Sequence, residues 1–339
     1  MSEVSPNLLT ENPSTKTGYR DFALIVLLLS VVRAVLPFIP VPLVIAPFVD
    51  FLLLIGVFIA TIYAIYRAMS EKPDPKLAFV ILLIGVFLQI AAVNIINLVF
   101  HGRGIGAVLL SPIAQTGLMI WCIGLGAVIA SILRDKNILI PVAIFLVGFD
   151  IFLVLTPLGI TQRIMKENPN ILSNVAMQIP KTTSVTHAAS SATVASAGLV
   201  GPADLVFLGV FFLAMFKFNM RPKETLKLMV PVLIGYMVLV LFTGWALPAL
   251  VPIGLVTLLV NRREFSLNND EKISTFVVAI LIAGILIFSA TRKPKQRPAP
   301  LQSEVSQGSQ ARPKTPGPES VGRLPSSDRN VEQNIPSPP

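Results

Sequence analysis

Cysteine and histidine are nearly missing from this chain. A single Cys, Cys122, leaves no intrachain disulfide framework. The two His, His101 and His187, come without a His-Glu-x-x-His or paired-Cys pattern, so no zinc site is expected. No nucleophile motif with its base is present either, which argues against serine chemistry. Gly102, Gly104 and Gly106 lack the strand and the Lys of a phosphate loop, so they imply no nucleotide. Charge is scarce as well: 13% of the 339 residues are Asp, Glu, Lys or Arg, against about 25% in an average protein. With 53% hydrophobic residues and a mean hydropathy of +0.75, the chain does not read as a soluble globular protein.

What it has instead are long apolar runs. Nine can be drawn, approximately Phe22–Ile39, Phe48–Met69, Lys76–Phe100, Ile105–Leu133, Ile138–Leu158, Ala192–Phe218, Leu226–Gly244, Ala246–Val260 and Ser274–Ala290. A helix needs about 20 such residues to span a bilayer. Backbone in lipid must satisfy its own hydrogen bonds, and the period-2 alternation of a membrane barrel is missing. The expected fold is therefore all-α, a polytopic membrane bundle of about nine transmembrane helices. A polar N-terminal segment (1–20) precedes the transmembrane bundle (21–291), whose core of interest is about 138–260. A Pro- and Ser-rich tail (292–339) should be disordered, since it cannot bury a core. The N-terminus lacks the layout of a signal peptide, so the first run is expected to be retained.

The net charge of +9 does not point to nucleic acid, because its Lys and Arg fall mainly in short connections between apolar runs. A cytoplasmic N-terminus gathers most of them on one side and leaves Arg103, Arg163, Lys166 and Lys181 on the other, together with the basic tail. An integral protein of the cell membrane is the expectation, with membrane lipids as its surroundings.

Two carboxylates stand out in these runs. Asp150 falls near the middle of the fifth, and Asp204 lies about the thirteenth residue of the sixth if that helix begins near Ala192. An ionised carboxylate at the bilayer centre costs roughly 2.5–3.5 kcal/mol on insertion scales, so each is a functional candidate. At similar depth in a bundle and a few ångströms apart, two such carboxyls would share one proton and titrate as a pair. That suits peptide hydrolysis, with one member activating water and the other protonating the carbonyl oxygen. Two intramembrane Asp also suit a proton-coupled transporter or channel, the more general use of such residues, and Arg33 in the first run is an alternative structural partner for either.

The surrounding words narrow the choice. Phe149-Asp150 is followed by Val154-Leu155, Pro157, Gly159 and Arg163; Gly201-Pro202-Ala203-Asp204 comes next; Ala246-Leu247-Pro248-Ala249-Leu250 lies further on. This ordered trio resembles the presenilin and signal-peptide-peptidase family of intramembrane aspartyl proteases, and presenilin most closely, over about Ile138–Val260. The resemblance implies a presenilin-like bundle with Asp150 and Asp204 as the catalytic pair. It implies that Phe149, Gly201, Pro202, Ala203, Pro248, Ala249 and Leu250 shape the site and help hold substrate. Transmembrane-helix polypeptides, or remnant signal peptides, would be the substrates, with no cofactor. The sequence departs from the family pattern at Phe149, where the family has Tyr, and at Ala203, where it has Gly. Its Asp residues also fall on the fifth and sixth runs rather than the sixth and seventh helices. An inactive relative that binds transmembrane helices is a further alternative.

Pro248 and Pro252 should bend or unwind the connection between the seventh and eighth runs. A substrate helix would have to unwind too, and its extended segment could be held by strand-like pairing. Gln89, Asn94 and Asn97 are expected to hydrogen-bond between helices, and Gly117, Gly124 and Gly126 to allow close helix packing. Cys122 is expected to be a small buried apolar residue.

Overall fold

The computed structural model describes residues 17–42, 44–101, 104–156, 176–180, 183–184, 196–243 and 247–291. Pro157, Gly159, Arg163, the N-terminal stretch up to residue 16, most of the 160–191 connection and the 292–339 tail lie outside the described residues.

Among the described residues the apolar runs fold into nine α-helices: α1 Thr17–Val35, α2 Ala46–Ser70, α3 Pro75–Leu98, α4 Gly104–Ile132, α5 Leu139–Leu155, α6 Pro202–Lys217, α7 Pro222–Thr243, α8 Leu250–Asn261 and α9 Asn269–Thr291. Proline opens α3, α6 and α7, where its missing N–H leaves no intrahelical bond unmade. Six helical segments are long and apolar enough to cross a membrane: α1 with its following turn, α2, α3, α4, α5 with its preceding turn, and α9. The molecule is thus a polytopic helical bundle.

Short strands accompany the helices. β1 (Pro40–Val41) pairs in parallel with β3 (Thr183–Ser184), and β2 (Met177–Pro180) pairs antiparallel with β4 (Ser196–Val200). Here the sequence expectation is corrected. The sixth run does not begin as helix near Ala192: residues Ser196–Val200 are strand, and helix starts only at Pro202. Proline disfavours the α conformation in the residue before it, and Gly201 is accordingly extended, at φ −64° and ψ 142°. The eighth run likewise starts at Leu250, after Pro248 rather than before it.

Apolar tails do not drive helices together within lipid, so packing and polar contacts must. Glycine supplies the first for α3 and α4. A Cβ on Gly117 would lie 2.6 Å from the backbone N of Gln89, and Cβ atoms on Gly85 and Gly124 would overlap Trp121 and Leu82. Gly126 serves the α4–α6 contact, where a Cβ would lie 2.6 Å from the Val206 carbonyl oxygen. Gln89 accepts from the Trp121 indole across the same α3–α4 seam, whereas Asn94 donates to Ile90 of its own helix at 2.9 Å. Helix α6 runs through the core, with Phe211 and Phe212 fully buried. It packs on α2 and α4, whereas α5 packs on α8 and α9, and α8 also packs on α7. Outward faces stay apolar, as at Phe79, Leu83 and Phe87 on α3 and Phe276, Ile280 and Ile287 on α9.

Polar clasps gather the helix ends on one side of the bundle. Lys217, closing α6, donates to the Leu133 and Ser131 carbonyls at 2.6 and 2.9 Å, filling acceptors that α4 leaves open at its C-terminus. Asn261, closing α8 and fully buried, donates to Thr225 Oγ1 at 3.0 Å and accepts from the Arg221 N–H at 3.0 Å, both at the start of α7. Asn137, just ahead of α5, donates to the Ser266 carbonyl at 2.9 Å and to Glu271 on α9. This end carries Arg134, Lys136, Lys217, Arg221, Lys223, Arg262, Arg263 and Lys272 and is called the basic end below.

Candidate functional site

Helix length sets the depth of the site. A bilayer core is about 30 Å thick, and a helix rises about 1.5 Å per residue. With 16 residues, α6 is about 24 Å long, and α8 with 12 is about 18 Å. Both end at the basic side, so both begin inside the bundle rather than at its far surface. Measured from that side, Asp150 stands about 17 Å along α5, Leu250 about 17 Å along α8, and Asp204 about 20 Å along α6. The similar depth expected from a helix starting near Ala192 loses that basis, and the two path lengths differ by about 3 Å. Asp204 is in the first turn of a short helix, not in the middle of a long one.

Two helix N-termini thus open at the level of two carboxyls. The first N–H groups of a helix have no intrahelical partner and carry the positive end of its dipole. Asp150, buried on α5, takes one of them: the Leu250 N–H donates to Asp150 Oδ2 at 2.8 Å. The carboxyl of one helix thereby caps another that is distant in sequence. Asp204 occupies the third position of α6, where an acidic side chain can reach back toward the start of its own helix. The Asp204 N–H donates to the Gly201 carbonyl at 3.2 Å. A Cβ at Gly201 would lie 3.2 Å from Asp204 Oδ2, so the glycine leaves that carboxyl its room. Asp204 is half-buried, and the charges of the two Asp act on one another.

A residue that sequence reasoning missed completes the setting. Tyr236, on α7, donates its phenol hydrogen to the Pro248 carbonyl at 2.7 Å, and its phenol oxygen lies within electrostatic reach of both Asp. Pro248 is buried, Ala249 is the residue before α8, and Leu250 begins that helix. One phenol therefore fixes the turn that presents the Leu250 N–H to Asp150. Pro252 falls in the first turn of α8, where a missing N–H does no harm. No local pattern around Tyr236 announces this role; it rests on a contact with a loop on the next helix. Cys122 is buried as expected and also lies against the site, its thiol donating to the Pro202 carbonyl at 3.6 Å.

Other expected site residues face elsewhere. The ring of Phe149 is 41% exposed and stacks between Phe145 and Phe152 on the outer face of α5, at centroid distances of 5.8 and 6.5 Å. Ala203 is exposed. Arg33 is buried, and its Nε and Nη2 have no hydrogen-bond partner among the described residues; the ion pairs found there join Arg67 to Asp21 and Arg221 to Glu264, so Arg33 neutralises neither site carboxyl. No cluster of His, Cys, Asp and Glu able to hold a metal ion occurs among the described residues.

The small sheet abuts this region. β4 leads directly into Gly201, and its partner β2 is tied to α4 where the Gln178 N–H donates to Gln115 Oε1 at 3.0 Å. Two carboxyls at helix N-termini, irregular backbone at Pro248 and a strand pair leading into Gly201 thus belong to one region of the bundle. Set against protein-family models, curated proteins and solved structures, the chain matches none.

Proposed function

We propose that this chain is an intramembrane aspartyl protease with a presenilin-like arrangement of nine helices in the cell membrane. It would hydrolyse peptide bonds of transmembrane helices or remnant signal peptides. The observation that carries the reading is the convergence of Asp150 and Asp204 at one depth, each at the N-terminus of a helix that stops inside the bundle.

Hydrolysis needs one carboxyl ionised and the other protonated. The ionised member takes a proton from water as the water oxygen attacks the peptide carbonyl carbon. The protonated member gives its proton to the carbonyl oxygen. In the collapse of the tetrahedral diol the C–N bond breaks: the carboxyl that took the water proton passes it to the leaving nitrogen, and a diol hydroxyl returns a proton to the other carboxyl. Helix N-termini beside both carboxyls hold the pair without any strong countercharge, which would fix both in the ionised state. Irregular backbone in lipid is tolerated against a water-filled cavity, and this reaction consumes water. A substrate segment unwound from its helix and added beside β4 would bring its backbone to Asp204.

The test is cleavage of a labelled single-span polypeptide in liposomes by the purified protein, with Asp150→Ala and Asp204→Ala alongside. Cleavage abolished by either change and blocked by a transition-state analogue of aspartyl proteases is the expected result. Asp-dependent proton flux without cleavage would establish a transporter or channel instead, and binding of the helix without turnover an inactive relative.

A further inference from the structure

A groove of about 410 Å³ opens at the basic end, far from the two carboxyls, lined by Ile140, Leu258, Arg262, Phe265, Leu267 and Lys272. We infer that it binds one anionic glycerophospholipid, with Arg262 and Lys272 holding the phosphate and the apolar wall covering an acyl chain.

Three observations point to that ligand chemistry. The first is the lining: the apolar walls come from α5, α8 and the α8–α9 turn, and two exposed cations complete it. A soluble anion has no use for such walls, and a neutral lipid has none for the cations. An amphiphile with a negative head uses both.

The second is that both cations are available. Arg262 and Lys272 are exposed, and neither enters an ion pair among the described residues. Two carboxylates of the same turn are engaged otherwise: Glu264 accepts from Arg221 at 3.0 Å, and Glu271 accepts from Asn137 at 3.0 Å and from the Asn268 N–H at 2.8 Å. Asp270, exposed at the start of α9, is the remaining carboxylate of the turn.

The third is position. Arg262 immediately follows α8 and Lys272 lies one turn into α9, the level at which long basic side chains reach headgroups while their stems stay in apolar surroundings. The groove also touches α5 and α8, the helices that carry Asp150 and Leu250, so an occupant braces those two against each other. Binding at this groove does not depend on the protein's being a protease.

The experiment is native mass spectrometry of the detergent-purified chain with equal amounts of palmitoyl-oleoyl phosphatidylglycerol and phosphatidylcholine. Preferential retention of one phosphatidylglycerol is expected. The pair Arg262→Gln/Lys272→Gln should bind it about thirtyfold more weakly, the loss of two surface cations at about 1 kcal/mol each. Lys223→Gln/Lys227→Gln, at the same end but outside the groove, should leave binding unchanged. Leu258→Trp fills the apolar wall and should also remove the retained lipid, which decides the matter if the double variant does not fold. Equal retention of the two lipids, undiminished phosphatidylglycerol on either groove variant, or displacement by chainless glycerophosphate at equal concentration would each overturn the inference.

Discussion

The backbone N–H of Leu250 donates to Asp150 Oδ2 at 2.8 Å, so a proposed catalytic carboxyl also caps a helix a hundred residues away in the sequence. The two roles separate by substitution. Asp150→Asn keeps an acceptor for Leu250 and should leave thermal stability in detergent close to wild type, while cleavage falls at least about a hundredfold. Asp150→Ala should lose the same activity and about 1–2 kcal/mol of stability besides. Equal stability of the two variants would show that the cap contributes nothing.

Tyr236→Phe removes the hydrogen bond to Pro248 and nothing else from that ring. A neutral hydrogen bond is worth about 1 kcal/mol, so kcat should fall about fivefold with KM little changed. Phe149→Tyr should do nothing measurable, because that ring stacks outward beside Phe145 and Phe152. Steady-state kinetics on both variants would check the contrast.

Gly201→Ala puts a Cβ within 3.2 Å of Asp204 Oδ2. The backbone there suits alanine, so the helix should form normally and only the carboxyl should shift. A displacement of about 1 Å can cost a hundredfold, and a smaller one here should cost about tenfold in kcat. An unchanged melting temperature with reduced turnover is the expected result.

Asn261→Leu should act on stability instead. The fully buried amide joins α8 to the start of α7, and leucine would leave the Arg221 N–H and the Thr225 hydroxyl without it. A loss of about 2–3 kcal/mol in denaturant titration is expected.

A pair that works with one shared proton should give a bell-shaped pH profile of kcat/KM, both limbs belonging to the pair. Replacing either Asp by Asn should remove the whole bell rather than one limb. A residual single-limbed activity would mean that one carboxyl suffices.

The two carboxyls and their order along the chain were legible because charge inside an apolar run has few explanations. The start of α6 was not. Ser196-Ala197-Gly198-Leu199-Val200 is small and apolar, compatible with either helix or strand, and the long run hid the change of structure. Pro202 carried the missing signal, since it favours a helix start at its own position and disfavours helix at Gly201. Gly117, Gly124 and Gly126 were read correctly as close-packing positions, whereas Gly85, on the facing helix, was not singled out. Asn94, by contrast, bonds within its own helix, because sequence does not say which face a polar side chain will take. Tyr236 stayed hidden for the same reason: its partner is fixed by tertiary packing across a turn.

The short reach of α6 and α8 makes the bilayer itself a ruler. Hydrocarbon that is too thick for the ends of these helices would bury the gap above them, and thinner lipid would bring headgroups and their water down toward Asp204. For the proposed hydrolysis, membrane thickness would then set how readily water arrives, making hydrophobic mismatch a control on turnover as well as on residence.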